Sequence, residues 1–260
     1  MPKFAANLSM LWPELDVYDR FGAAAEAGFS RVEILFVHTL DLGRIEKLLR
    51  QHHLDLLLFD PAPGDWDGGE RGLACNPGRK SDFQRSIDQA LETARRLGVQ
   101  RLNALTGIPQ PDVTPETAHA TLVENFGWAA SCAESAGVTL LVENINPTDF
   151  PGYFITTVER AARLVKDVDR PNVRVQLDQY HVGMVGDNAR ALLREYLPLV
   201  EHVQIADVPG RHQPGTGEQP IREFLADLDA LGYAGAVGLE YRPIGSTAVA
   251  LEWLPRSQRG

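Results

Sequence analysis

Short apolar runs alternate with segments of helical period eight times along the chain, and this regularity limits the fold more than any single motif. The expected strands fall at residues 4–8, 31–36, 54–59, 101–105, 138–143, 173–178, 202–206 and 236–241. After each, apolar side chains recur at helical spacing, over 14–27, 42–52, 81–97, 114–135, 156–168, 188–196, 221–231 and 246–254. Strands of a parallel sheet are covered by helices and read as nearly unbroken aliphatic runs, as Val-Thr-Leu-Leu-Val does before Glu143. Eight such units in 260 residues, with no linker or change of composition between them, predict one α/β domain over 1–260, a single (β/α)8 TIM barrel. The competing architecture is an open doubly wound sheet. No glycine-rich dinucleotide fingerprint opens the first unit to support it.

Charge narrows the partners. A formal net charge of -10 repels phosphate backbones and anionic lipid, so neither nucleic acid nor a membrane is expected as a partner. An anionic small substrate would need a local cationic pocket. Cys75 and Cys132 lack metal-type spacing and read as free thiols. No run of about 18 apolar residues occurs, and the expected location is cytoplasmic. A homo-oligomer is compatible with the sequence, which specifies no interface.

The last four expected strands end alike. Glu143, Asp178, Gln204 and Glu240 stand at or near their C-terminal ends, each about one βα unit from the next. Side chains so placed converge on one mouth, where three buried carboxylates repel one another unless a cation holds them. A divalent metal resolves this, and an all-oxygen set favours Mg²⁺ or Mn²⁺ over zinc. Any one of these residues, taken singly, is as readily a partner for a neighbouring Arg or Lys.

His181, three residues past Asp178, is placed to polarise a substrate oxygen, although a loop histidine is more often a surface group. Arg211, in the loop after the seventh strand, has the fork geometry to bind a carboxylate, with a solvated loop arginine as the alternative. Arg71 is a second anion contact or a surface ion pair with Glu70. The long Gly/Pro/Asp-rich loop 60–78 makes Trp66 a candidate pocket wall. Glu33, inside the second strand, is expected to fill a polar layer of the barrel and to need partners there.

Six blocks carry a resemblance that spans nearly the whole chain. They are Phe-Ala-Ala-Asn-Leu-Ser-Met-Leu (4–11), Pro-Gly-Asp-Trp (63–66), Gly-Glu-Arg-Gly-Leu-Ala (69–74), Leu-Val-Glu-Asn-Ile-Asn (141–146), Gln-Ile-Ala-Asp-Val-Pro-Gly-Arg (204–211) and Pro-Gly-Thr-Gly-Glu (214–218). Together they resemble the hydroxypyruvate isomerase branch of the xylose-isomerase-like barrels. The resemblance implies a divalent-metal site at Glu143, Asp178, Gln204 and Glu240, with Glu143 and Glu240 as the acid/base pair. It implies a small 2-oxo acid substrate, with hydroxypyruvate and tartronate semialdehyde interconverted through an enediolate. The 2-oxo-tetronate isomerases share most of these blocks, so three- and four-carbon acids both stay open.

Two positions depart from the pattern. Gln204 stands where related epimerases carry histidine, and Phe59-Asp60 stands where a His-Asn or Phe-Asn pair is expected. A non-catalytic sugar-acid binding protein is the reading from another class. Retention of both glutamates argues against it.

Overall fold

Each apolar run pairs in parallel with its neighbours in sequence, and the last returns to the first. In the computed structural model, which describes residues 2–260, the strands β1 (Lys3–Asn7), β2 (Arg31–Glu33), β3 (Asp55–Phe59), β4 (Arg101–Asn103), β5 (Thr139–Glu143), β6 (Val173–Asp178), β7 (Val200–Ile205) and β8 (Ala236–Leu239) close a barrel in the order β1 to β8. Closure is made by β1 against β8, with Phe4 opposite Val237 and Ala6 opposite Leu239. The eightfold alternation is thus the (β/α)8 barrel that the sequence predicts.

The helices are α1 (Asp19–Glu26), α2 (Leu42–His52), α3 (Lys80–Leu97), α4 (Pro115–Glu134), α5 (Val158–Val168), α6 (Gln179–Met184), α7 (Ala189–Tyr196), α8 (Ile221–Ala230) and α9 (Thr247–Ala250). Their boundaries follow local chemistry. Asp41 caps α2 through the N–H groups of Gly43 and Arg44, and Thr114 caps α4 ahead of Pro115, whose missing N–H costs nothing at a first helical position. Inward faces bury Phe83, Ile87 and Leu91 of α3 and Leu122 and Phe126 of α4. Each such side chain contributes about 1.5–3 kcal/mol by leaving water.

Strands β4 and β8 each end two residues earlier than expected, and four other elements differ more. The α1 helix begins five residues late, because Trp12 adopts a left-handed φ of 54° and residues 12–16 form a turn closed by the Leu15 N–H on the Trp12 carbonyl. Strand β2 is short because a register shift between Val32 and Glu33 interrupts its pairing with β3. Helix α9 keeps only one turn. Helix α6 is an addition: its residues were expected in a loop, but Asp178 accepts from the Tyr180 N–H and starts a turn directly at the strand end.

The barrel interior is polar near the mouth. Asn7, Glu33, Asn103, Gln176, His202 and Gln204 are all buried. Gln204 Nε2 donates to Glu33 Oε2 at 3.0 Å, Gln176 Nε2 donates to Gln204 Oε1 at 2.7 Å, and His202 Nε2 lies 2.6 Å from Glu33 Oε1. Glu33 is thus satisfied at Oε2 by Gln204, whereas Oε1, close to His202 Nε2, makes no hydrogen bond among the described residues. Gly238 makes the arrangement fit, since a Cβ there would lie 2.5 Å from both Glu33 oxygens.

Candidate active site at the C-terminal mouth

The β5 to β8 ends deliver their side chains to one place. Asp178 and Gln204 are register partners across β6 and β7, and Glu143 faces Gln176 across β5 and β6. Glu143, Asp178 and His181 bring one ligand atom each within 4.8 Å of one another, all buried. Glu240 lies next to this trio, bridged to it by Arg211, whose Nη2 lies 2.8 Å from Glu240 Oε1 and 3.3 Å from Asp178 Oδ2. Arg211 Nε donates to the Glu240 carbonyl. Its Nη1 has no hydrogen-bond partner among the described residues.

Position of His181 follows from α6. One helical turn folds the ring back over the strand end, so Nε2 lies 3.4 Å from Asp178 Oδ2 and 3.8 Å from Glu143 Oε1. The opposite nitrogen is held by Asn146. The Oδ1 of Asn146 accepts the N–H groups of Thr148 and Asp149, which identifies its other atom as the amide nitrogen. That nitrogen lies 2.6 Å from His181 Nδ1, and the Asn146 backbone N–H also donates to Nδ1 at 3.3 Å. With donors on Nδ1, the neutral ring carries its proton on Nε2, aimed at the carboxylates. Burial and the Arg211 charge hold the imidazole well below its usual pKa, so the ring stays neutral.

Charge in the site is unbalanced. Burial raises the pKa of Glu143 well above the carboxylate range, with Glu240 and Asp178 adding to it; burial likewise raises Asp178, and pushes Glu240 up to about 8 against the pull of Arg211. Asp60 is raised as well, by burial and then by Glu240. Four acids share one buried arginine, and Glu240 Oε2 has no hydrogen-bond partner among the described residues. Protons or a cation must make up the difference. The carboxylates of Glu143 and Asp178, with Glu240 close by, fit a hard divalent cation. Gln204 lies at the right level, although its carbonyl oxygen accepts from Gln176 in this structure.

Glu143, His181, Arg211 and Glu240 open onto a cavity of about 290 Å³, with Asp178 and Gln204 behind its wall. Trp66 forms part of its wall, packed edge-on against Phe36 at 4.9 Å and Phe150 at 6.1 Å between ring centres. Arg71 lies over the Trp66 ring at 4.1 Å and donates Nη1 to the carbonyls of Trp66 and Glu70. Glu70 pairs with Arg79 instead, so among the described residues no carboxylate pairs with Arg71. The loop is pinned where Gly72 (φ 122°) meets Leu105: a Cβ on Gly72 would sit 2.3 Å from the Leu105 carbonyl oxygen. Asp60 and Arg242 also line the cavity. The sequence marked Asp60 only as a departure from the resemblance and did not mark Arg242; Asp60 directly follows Phe59, the last residue of β3, whereas Arg242 lies three residues beyond the end of β8.

No helix among the described residues is long and apolar enough to cross a membrane. Comparison with known proteins agrees with the barrel. A 2-oxo-tetronate isomerase from Cupriavidus necator is 41% identical over 254 residues, covering 98% of both chains. A hydroxypyruvate isomerase from Escherichia coli is 37% identical over 254 residues, again covering 98% of both. A crystal structure described as AP endonuclease, family 2, from Brucella melitensis superposes with a TM-score of 0.94 at 43% identity, covering 97% of this chain and 98% of that one. Residues 21–257 match the family model for the xylose isomerase-like TIM barrel, and the chain belongs to that family.

Proposed function

We propose that the protein is an isomerase of small 2-oxo acids that carry a hydroxyl on the next carbon, hydroxypyruvate and 2-oxo-tetronate among them. One observation carries the reading: two buried glutamates with raised pKa values, Glu143 and Glu240, line the same cavity from strands β5 and β8. The identities to both kinds of isomerase support it.

The reaction takes a proton from the hydroxyl-bearing carbon, returns one to the neighbouring carbonyl carbon, and shifts one proton between the two oxygens. A carboxyl group held above the ordinary carboxylate range by burial suits each carbon transfer. Glu143 and Glu240 serve as this pair, one removing and the other delivering. His181, neutral and protonated on Nε2, donates a hydrogen bond to a substrate oxygen and steadies the charge of the enediolate. A divalent cation, Mg²⁺ or Mn²⁺, held by Glu143, Asp178 and Glu240 with Gln204, would supply positive charge beside the enediolate oxygens. The substrate carboxylate is met by Arg71, with Trp66 closing the wall, while Arg211, already paired with Glu240 and Asp178, holds those carboxylates in place.

A nuclease reading, suggested by the description of the Brucella structure, is not favoured. A net charge of -10 and seven histidines in the whole chain suit neither a DNA groove nor a histidine-rich metal cluster. The test is turnover of hydroxypyruvate and 2-oxo-tetronate by chelated protein before and after reloading with Mg²⁺ or Mn²⁺. Isomerisation that returns with the metal is expected. No turnover of either acid would end the isomerase reading, and full activity in a demonstrably metal-free sample would end the cation's role.

A further inference from the structure

Strand β3 ends by delivering Asp60 to the floor of the cavity, where its backbone N–H is fixed on the Leu35 carbonyl at 2.7 Å. The side chain is 3% exposed, and its Oδ1 has no hydrogen-bond partner among the described residues. Asn103 on β4 repeats the pattern. Its Nδ2 is spent on Glu143 Oε2 at 2.7 Å, and its Oδ1 is likewise buried without a donor. Asp60 does not belong to the Glu143, Asp178 and His181 cluster. Of the two, only Asp60 lines the cavity, so its Oδ1 presents a buried acceptor without a protein donor to whatever enters, a position native structures complete with a ligand or an ordered water.

We infer that Asp60 binds a hydroxyl that lies beyond the two reacting carbons, and that the protein therefore selects a four-carbon 2-oxo acid over hydroxypyruvate. This rests on the isomerase reading above. The pose follows from charge. Arg71, half-buried, and Arg242, exposed, are cations of the rim, so the substrate carboxylate faces outward and its chain points to the acidic floor. A carboxylate is repelled by Asp60, whereas a hydroxyl is matched by it, and a carboxyl group keeps an acceptor oxygen in either ionisation state. Hydroxypyruvate ends at its second reacting carbon. A 2-oxo-tetronate adds one hydroxymethyl group, the piece that reaches Asp60. Sites that hydrogen-bond a substrate hydroxyl reject analogues lacking it, because the buried partner is left unpaired.

The experiment compares kcat/KM of metal-loaded wild-type protein for 2-oxo-tetronate, hydroxypyruvate and 3-hydroxy-2-oxobutanoate, which has the same length but ends in methyl. The expected order puts 2-oxo-tetronate ahead of the other two by about 10²-fold or more. Asp60→Leu should collapse that ratio to within about tenfold, and Asp60→Asn, which keeps a hydrogen-bonding side chain, should preserve most of it. Equal turnover of the hydroxymethyl and methyl acids by wild type would overturn the inference without any variant having to fold. So would an unchanged ratio in a folded Asp60→Leu protein. Wild-type protein inert toward all three acids would bring down the isomerase reading itself, a result distinct from both.

Discussion

The two halves of the barrel mouth are built differently. On the β5–β8 side, strands of five, six, six and four residues carry Glu143, Asp178, Gln204 and Glu240 within one residue of their C-terminal ends, with His181 and Arg211 folded directly onto them. On the β1–β4 side, β2 and β4 have three residues each, and the mouth is finished by the loop that carries Trp66 and Arg71. Side chains on paired strand ends are held rigidly by register, whereas groups on a loop are held by stacking and turn hydrogen bonds. Under the proposed function, proton transfer falls to the first half and recognition of the substrate's ends to the second.

The largest effect expected is on the chemical half. Glu240→Gln keeps the volume and can still accept from Arg211, but it removes the titrating oxygen, so kcat should fall by about 10³-fold with a much smaller change in KM. Glu143→Gln should behave alike. A fall confined to KM in either variant would erase the distinction between the halves. Next in size is Asn146→Ala, which strips the side-chain donor from His181 Nδ1. Partners of this outer kind are worth about 10- to 100-fold. The loss should appear in kcat, with a changed pH profile as the imidazole loses its fixed tautomer.

On the recognition half, Arg71→Ala should raise KM about tenfold and leave kcat within a few-fold, since it removes a contact made equally to substrate and transition state. Steady-state kinetics on both acids separates the two patterns.

The smallest effect is on stability. Glu143, Asp178 and Glu240 all have folded pKa values above the ordinary carboxylate range, Glu240 at about 8. Above pH 4.5 the unfolded chain releases protons that the folded, metal-free protein retains, so these groups favour folding at low pH and lose that contribution as pH rises through about 8. Thermal scans of chelated protein should show Tm falling between pH 5.5 and 8.5 by a few degrees, about what a 1 kcal/mol change produces. Mg²⁺ or Mn²⁺ should raise Tm more at pH 8 than at pH 5.5.

Much of this was legible in the sequence because period and strand-end position are local signals. Val173–Asp178 and Leu42–His52 match their expected bounds, and Glu143, Asp178, Gln204 and Glu240 stand out as polar residues closing apolar runs. The same rule applied to β3 would have marked Asp60 as a site residue and not only as a departure from the resemblance, whereas Arg242, three residues past the end of β8, lies beyond its reach. Helix α6 escaped because six residues are too few to show a period, although Asp178 two residues ahead of Tyr180 is a capping signal. The Asn146–His181 hydrogen bond and the Arg211 ion pairs join residues about 30 positions apart through the closed barrel. No local pattern encodes them.

The central claim is that Glu143 and Glu240 carry protons between adjacent carbons. Proton NMR of the metal-loaded protein turning over 2-oxo-tetronate in heavy water tests it most directly. The account predicts product labelled with solvent deuterium at the newly protonated carbon, and loss of that label together with turnover in Glu240→Gln. Product that retains the original hydrogen and gains no deuterium would mean that hydrogen moves directly between the carbons, and would contradict the assignment of both glutamates.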